Sequence, residues 1–370
     1  MPLTWIEINQ KNLVHNIREF QKIAANSQIW PVIKSNAYGH GFAEIASILD
    51  KENLVAGFAV VSLDEAISLS FLTSKDIMVL SYFDFDQSQL EQVALKKISL
   101  PIYDLETADT LDRVAESLKV KFLINIKIDS GTSRLGFLLD DADEAIKIIS
   151  QKNNLIINSL YTHFAESEAE EQEFTTLQLN DFLALCAKWP QFKKHAACSA
   201  ATLSQPDSHG DLIRLGLSLY GLSPSPASRR RAWQNQMCLQ PVLTWKTKII
   251  QIKKISAGTS IGYNRTYVAD KDCLLAILPI GYNEGYDRGF SNKAEVLING
   301  YRCKVRGNIC MNLTMVELAE GCEAKVNDEV VLLGQSDSAY ISADELALLA
   351  NTINYEIVTR INPNIKRVIV

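Results

Sequence analysis

Through its first two-thirds the chain alternates short apolar runs with stretches of helical period, and no other feature constrains its fold as much. The runs fall at 29–33, 57–61, 77–82, 98–102, 122–128, 155–161, 195–198 and 212–215. Most are near-continuous and β-branched, as parallel strands covered on both faces are. Between them 43–49, 63–70, 88–95, 105–117, 142–151 and 168–187 read as helices. A further helix, 12–25, precedes the first run with Leu13, Ile17, Phe20 and Ile23 on one face; the stretch after the seventh run, 200–203, is short. Eight strand–helix units in about 220 residues predict a TIM-type (β/α)8 barrel. A doubly wound open sheet, the plainer α/β alternative, rarely uses so many units in that length.

The character changes after Gly221. Residues 223–228, rich in Ser and Pro and followed by Arg229, Arg230 and Arg231, read as a linker. Beyond it 246–252 alternates polar and apolar, 296–302 forms a hairpin around Asn299-Gly300, and 329–333 is another short strand. A helix is expected at 342–350, with Asp344 and Glu345 in its first turn. The expected division is a barrel over 1–228 and a mostly antiparallel β domain over 229–370, the first residues being free to join the second domain. With 370 residues, 47% of them apolar, the chain can bury two cores.

Composition excludes several function classes. The formal charge is −6 and the one basic cluster, 229–231, is short, which argues against a nucleic-acid partner. No apolar run approaches the ~18 residues of a membrane helix. The opening MPLTWIEINQ has neither a basic nor an apolar leader region, so a cytoplasmic protein is expected. Seven scattered cysteines without a CxxC pair read as reduced thiols, and five histidines without HExxH support no metal site.

In a barrel, reactive groups gather at the C-terminal ends of the strands. Lys34 ends the first run, directly before a loop holding Tyr38 and two glycines. Desolvation there would lower its pKa toward that of a Schiff-base lysine; a snorkelling lysine with its head in water is the plainer reading. Ser199 ends the seventh run, and Arg214 and Gly216 lie in and after the eighth, where barrels commonly bind phosphate. Lysine and phosphate site together suggest pyridoxal 5′-phosphate; a sugar-phosphate aldolase is the rival, with no evident use for the second domain. Gly216-Leu-Ser-Leu-Tyr220 misses the hydrolase elbow, and no Walker or dinucleotide loop is present. Taken alone, Tyr263 could be a turn phenol, Arg134 a surface arginine, His163 a core histidine and Tyr355 simple packing. Arg214 is harder to dismiss, because an arginine inside an apolar strand must find buried partners.

Val32-Ile-Lys-Ser-Asn-Ala-Tyr-Gly-His-Gly41 closely resembles the cofactor-lysine signature of the alanine racemases, fold-type III pyridoxal-phosphate enzymes with a barrel and a C-terminal β domain. The resemblance continues through Lys127-Ile-Asp-Ser-Gly-Thr-Ser-Arg-Leu-Gly136, Tyr161-Thr-His-Phe164, Cys198-Ser-Ala-Ala201 and Arg214-Leu-Gly-Leu-Ser-Leu-Tyr-Gly221. In the second domain it recurs at Gly262-Tyr-Asn-Arg-Thr-Tyr267, Pro279-Ile-Gly-Tyr282, Ile309-Cys-Met311 and Thr352-Ile-Asn-Tyr-Glu356.

The resemblance implies that Lys34 holds the cofactor and is one of two catalytic bases. Tyr263 would be the other, reaching across the interface of a homodimer. Tyr38, Ser199, Gly216, Leu217 and Tyr355 would hold the phosphate, Arg214 would face the ring nitrogen, His163 would pack at the ring and His195 would bond Arg214. Arg134 and the partner's Met311 amide would bind the substrate carboxylate, and Lys127 matches a position that some members carbamylate. Asn312, Cys198, Thr132 and Ser133 stand where the family usually has aspartate, asparagine, methionine and glycine, which touches substrate breadth more than reaction type. The implied function is interconversion of L- and D-alanine for peptidoglycan. The alternatives are a serine or lysine racemase and a fold-type III decarboxylase, though decarboxylases carry a His-x-Gly-Ser run and His163 is followed by Phe164-Ala165-Glu166. A cofactor-homeostasis protein on the same barrel would lack the second domain.

Overall fold

A computed structural model describes residues 2–370, which divide into two compact units. One comprises Asn12–Ala37 and Ile45–Gln240. Its eight barrel strands are Gln28–Pro31, Gly57–Val60, Asp76–Val79, Ile98–Ile102, Phe122–Asp129, Leu155–Tyr161, Lys193–His195 and Leu212–Leu215, and a two-residue strand, Phe137–Leu138, pairs with the fifth. The second to the seventh pair in sequence order, all parallel. The eighth pairs the first in parallel, placing Arg214 opposite Trp30. Parallel bridges Ile29–Val55 and Val32–Ala59 join first to second, and Cys198–Arg214 joins seventh to eighth, so the barrel closes without an edge. Gly57–Val60, Ile98–Ile102 and Leu212–Leu215 are buried at every position, which is why these runs are continuous in sequence.

Local differences have local causes. The seventh strand is Lys193–His195, ahead of the apolar run at 195–198, because the chain beyond it leads into the helix Ser199–Ser204. The helix expected from 168 begins at Glu173. The stretch read as a linker is a capped helix, Pro226–Gln234: the Ser225 hydroxyl accepts the Ser228 N–H at 3.1 Å and proline occupies the first turn. This unit therefore runs on to Gln240.

The other unit comprises residues 2–11, Tyr38–Glu44 and Pro241–Val370. Its ten-stranded sheet is antiparallel except where Thr4–Ile8 runs parallel to Lys366–Ile369. Asn299 and Gly300, at φ 49° and 80°, make the tight turn between Glu295–Ile298 and Tyr301–Val305. Ser342 caps the helix Ala343–Ala350. Trp245, Tyr286 and Phe290 pack edge to face at 5.9 and 5.0 Å in the core. No described helix is long and apolar enough to cross a membrane, and the seven thiols are free.

Candidate active site

The C-terminal ends of the barrel strands carry four cations. Lys34 lies three residues past the first strand, and the chain then makes a left-handed turn with φ between 51° and 55° at Ser35, Asn36, Ala37 and Tyr38. Each such residue costs roughly 1–2 kcal/mol. Glu65 helps to hold the turn: its two carboxylate oxygens accept the N–H groups of Ser35 at 2.7 Å and Val61 at 2.8 Å. Burial lowers the Lys34 pKa, the Arg134 charge lowers it further, and Glu65 opposes both.

Arg214 is 4% exposed within the eighth strand. One of its terminal nitrogens donates to His195 Nδ1 at 2.5 Å and to the His195 carbonyl at 3.2 Å. The other donates to Thr162 O at 2.8 Å and Ala196 O at 2.9 Å. Nε–H is left without an acceptor among the described residues. Burial, then the charges of Arg214 and Lys127, hold His195 well below its ordinary pKa, so the imidazole is neutral. Burial and the surrounding cations act on His163 in the same direction.

Lys127 is buried with its ammonium 4.9 Å from the centre of the Tyr161 ring, which stacks on His195 at 5.2 Å. Burial and the charges of Arg214 and Arg134 bring it down to about 7. Ser199 Oγ accepts the Gly216 N–H at 2.9 Å, so its own O–H is free to donate. Leu217 lies buried in the turn that follows. Lys34, Lys127, Arg134, His163, His195, Ser199, Arg214, Gly216 and Leu217 all belong to the barrel unit.

In the other unit Tyr38 and Tyr355 approach with ring centres 6.3 Å apart. Tyr263 and Met311 are 70% and 56% exposed there. Tyr282 and Asn283 donate their N–H groups to the Cys310 and Met311 carbonyls at 3.1 and 3.0 Å. Asn312 donates to Glu284 at 2.7 Å, a bond that an ionised aspartate at this position could not make.

Three site residues escape a reading of the sequence. Tyr161 sits inside a quoted motif but reads as core. Glu65 and Asp129 bind backbone amides, which leave no pattern in sequence; the Asp-x-Gly spacing of a carboxylate turn is the one signal for Asp129. Among the described residues no three His, Cys, Asp or Glu side chains gather as metal ligands would.

The donors fit pyridoxal 5′-phosphate: an amine held below its usual pKa, a guanidinium with one free N–H, a free serine hydroxyl and an excess of positive charge.

Comparison with known proteins identifies the family. Family models described as "Alanine racemase, N-terminal domain" and "Alanine racemase, C-terminal domain" match residues 8–224 and 242–369. An alanine racemase of Carboxydothermus hydrogenoformans is 37% identical over 372 residues, covering 99% of each chain. One from Methylacidiphilum infernorum is 37% identical, covering 99% of this chain and 92% of that protein. The solved alanine racemase of Clostridium difficile 630 superposes with a TM-score of 0.92 at 32% identity, over 100% of this chain and 96% of its own. One from Bacillus anthracis with bound L-Ala-P gives 0.90 at 30% identity, over 100% and 95%.

Proposed function

The chain belongs to the alanine racemase family and is an enzyme of that class, and on this premise we propose that it interconverts L- and D-alanine with pyridoxal 5′-phosphate as cofactor. The observation that carries the reading is Lys34, a half-buried amine just beyond the first barrel strand, held below its ordinary pKa by burial and by the charge of Arg134. When bound, the cofactor supplies an electron sink that makes the substrate Cα–H acidic. Lys34 would hold it, Ser199, Gly216 and Leu217 of the barrel unit would hold its phosphate, and His163 would pack at its ring. Arg214 would face its ring nitrogen, and because an arginine does not give up its proton that nitrogen would stay unprotonated, which would keep the sink weak and limit side reactions.

A racemase must remove a proton from one face of Cα and return one to the other, and a single rigid base does this poorly. Lys34 serves one face. Tyr263 serves the other, in the site of the partner subunit of a homodimer, where Met311 contributes its amide. Arg134 binds the substrate carboxylate. Lys127, with an amine near neutrality, adds CO2 to give a carbamate and a released proton, placing an anion beside Arg134. The product D-alanine serves peptidoglycan synthesis in the cytoplasm.

The test is polarimetry of L-alanine in heavy water with cofactor-loaded protein, followed by NMR of the same sample. Decay of rotation to zero with deuterium at Cα is expected. Retained rotation would overturn alanine as substrate, and a panel including serine and lysine would follow.

A further inference from the structure

Asp129 closes the fifth barrel strand and is 7% exposed. Its carboxylate accepts four successive backbone N–H groups. Oδ1 takes Gly131 at 3.0 Å, Thr132 at 2.8 Å and Ser133 at 3.1 Å, and Oδ2 takes Arg134 at 2.9 Å. Oδ1 thus shares its two lone pairs among three donors and Oδ2 takes the fourth, so every backbone N–H from 131 to 134 is bound to this one carboxylate. The chain wraps it closely, with Gly131 at φ 133° and Ser133 at φ 53°. Burial alone would raise the Asp129 pKa, but the four amides outweigh it and hold the group ionised. From outside, the Thr132 hydroxyl donates to the His163 carbonyl at 2.6 Å.

Arg134 is the contrast. Its guanidinium makes no hydrogen bond or ion pair with any described residue, so nothing aims that cation except its own backbone, and Asp129 holds the backbone.

We propose that Asp129 is a positioning residue for substrate binding: it sets the 131–134 loop so that the Arg134 guanidinium stands ready for a carboxylate before any substrate arrives. This rests on the reading of Arg134 as the carboxylate ligand in the proposed function. Asp129 touches neither substrate nor cofactor and acts through Arg134.

Two measurements test it. In holoenzyme, Asp129→Asn sets an amide N–H against backbone N–H groups and misplaces Arg134. The expected result is an alanine KM raised about tenfold or more with kcat changed much less. Propionate, which keeps the methyl and carboxylate of alanine but has no amine, should lose competitive affinity by the same factor. Unchanged KM and propionate affinity would overturn the proposal. So would a kcat loss without a KM change, which is what a merely structural role predicts. Should the variant fail to fold, hydrogen exchange on ligand-free wild type decides: slow exchange of the 131–134 amides supports a preset clamp, and free exchange overturns it. A wild type that binds propionate but does not racemise alanine would remove the proposed function and leave the clamp standing.

Discussion

Arg214 donates to His195 Nδ1 across 2.5 Å, and a guanidinium has no lone pair to offer in return. The neutral imidazole must therefore carry its proton on Nε2, which faces Ser159 Oγ at 3.0 Å. Ser159 then gives its own proton to Asn125 Oδ1 at 2.7 Å. Four buried residues thus share one direction of donation, ending on an amide oxygen that also accepts Asn158 Nδ2 at 3.0 Å.

Ser159→Ala should leave the His195 Nε2–H buried without an acceptor and cost about 1–3 kcal/mol in urea unfolding. Asn125→Ala should cost a similar amount. Because the two groups act through one chain, the double variant should lose clearly less than the sum of the singles. Fully additive losses would show that the chain does not act as a unit.

How legible this site is from sequence depends on what each residue binds. The barrel can be read because burial on both faces writes continuous apolar runs, and Asn299-Gly300 because positive φ selects those residues. The left-handed turn after Lys34 is hidden for the opposite reason. Ser35, Ala37 and Tyr38 are not residues that favour that conformation, and tertiary contacts such as Glu65 hold it. The helix Pro226–Gln234 is hidden because proline and serine serve as start signals as readily as breakers, and the Ser225 cap decides between them. Lys34 and Arg214 announce themselves as charges that end or interrupt apolar runs, whereas Glu65 stands beside Asp64 and Asp129 before the polar stretch Ser130 to Arg134.

Lys127 predicts a pH dependence of stability. Its amine titrates near 7 in the fold and at about 10.4 when unfolded, so between these values the unfolded chain binds more protons. Stability from this group therefore rises with pH through that window, by up to about 1.4 kcal/mol per unit, and the penalty is complete below about pH 7. Lys127→Met keeps an apolar stem beside Tyr161 and removes the charge. In CO2-free buffer, denaturant titrations from pH 7 to 10 should show a flatter profile for the variant. Parallel profiles would mean that the amine is not held near neutrality.

Glu65→Gln should act on Lys34 in two ways. The carboxylate is the one charge raising the Lys34 pKa against burial and Arg134, so its loss should lower that pKa further. The amide also has only one oxygen for the Ser35 and Val61 N–H groups, at a cost of about 1–3 kcal/mol. Borohydride trapping of a simple aldehyde on Lys34 in cofactor-free protein, followed by mass spectrometry across pH, should show its midpoint moved to lower pH. A midpoint moved upward would contradict this electrostatic account.

Carbamylation of Lys127 should be visible directly. An amine near neutrality has a large unprotonated fraction at pH 8, and only that form adds CO2. With 13C-bicarbonate, a protein-bound carbamate resonance should appear in wild type and vanish in Lys127→Met. Its absence from wild type at saturating bicarbonate would leave Lys127 as a plain buried amine.

The proposed homodimer makes a prediction about counting. Tyr263 and Met311 stand exposed on the β unit, and in the proposed arrangement each serves the partner's Lys34. Lys34→Ala and Tyr263→Ala homodimers should each be inactive or nearly so. A mixed dimer would hold one site with both residues intact and one with neither. Random exchange makes half of all dimers mixed, so activity should return to about a quarter of the wild-type level. If each site drew both bases from one chain, no mixed dimer would contain an intact site and none would return. Exchange is proven independently with two affinity tags; exchange without recovery would place both bases in one subunit and overturn the shared site.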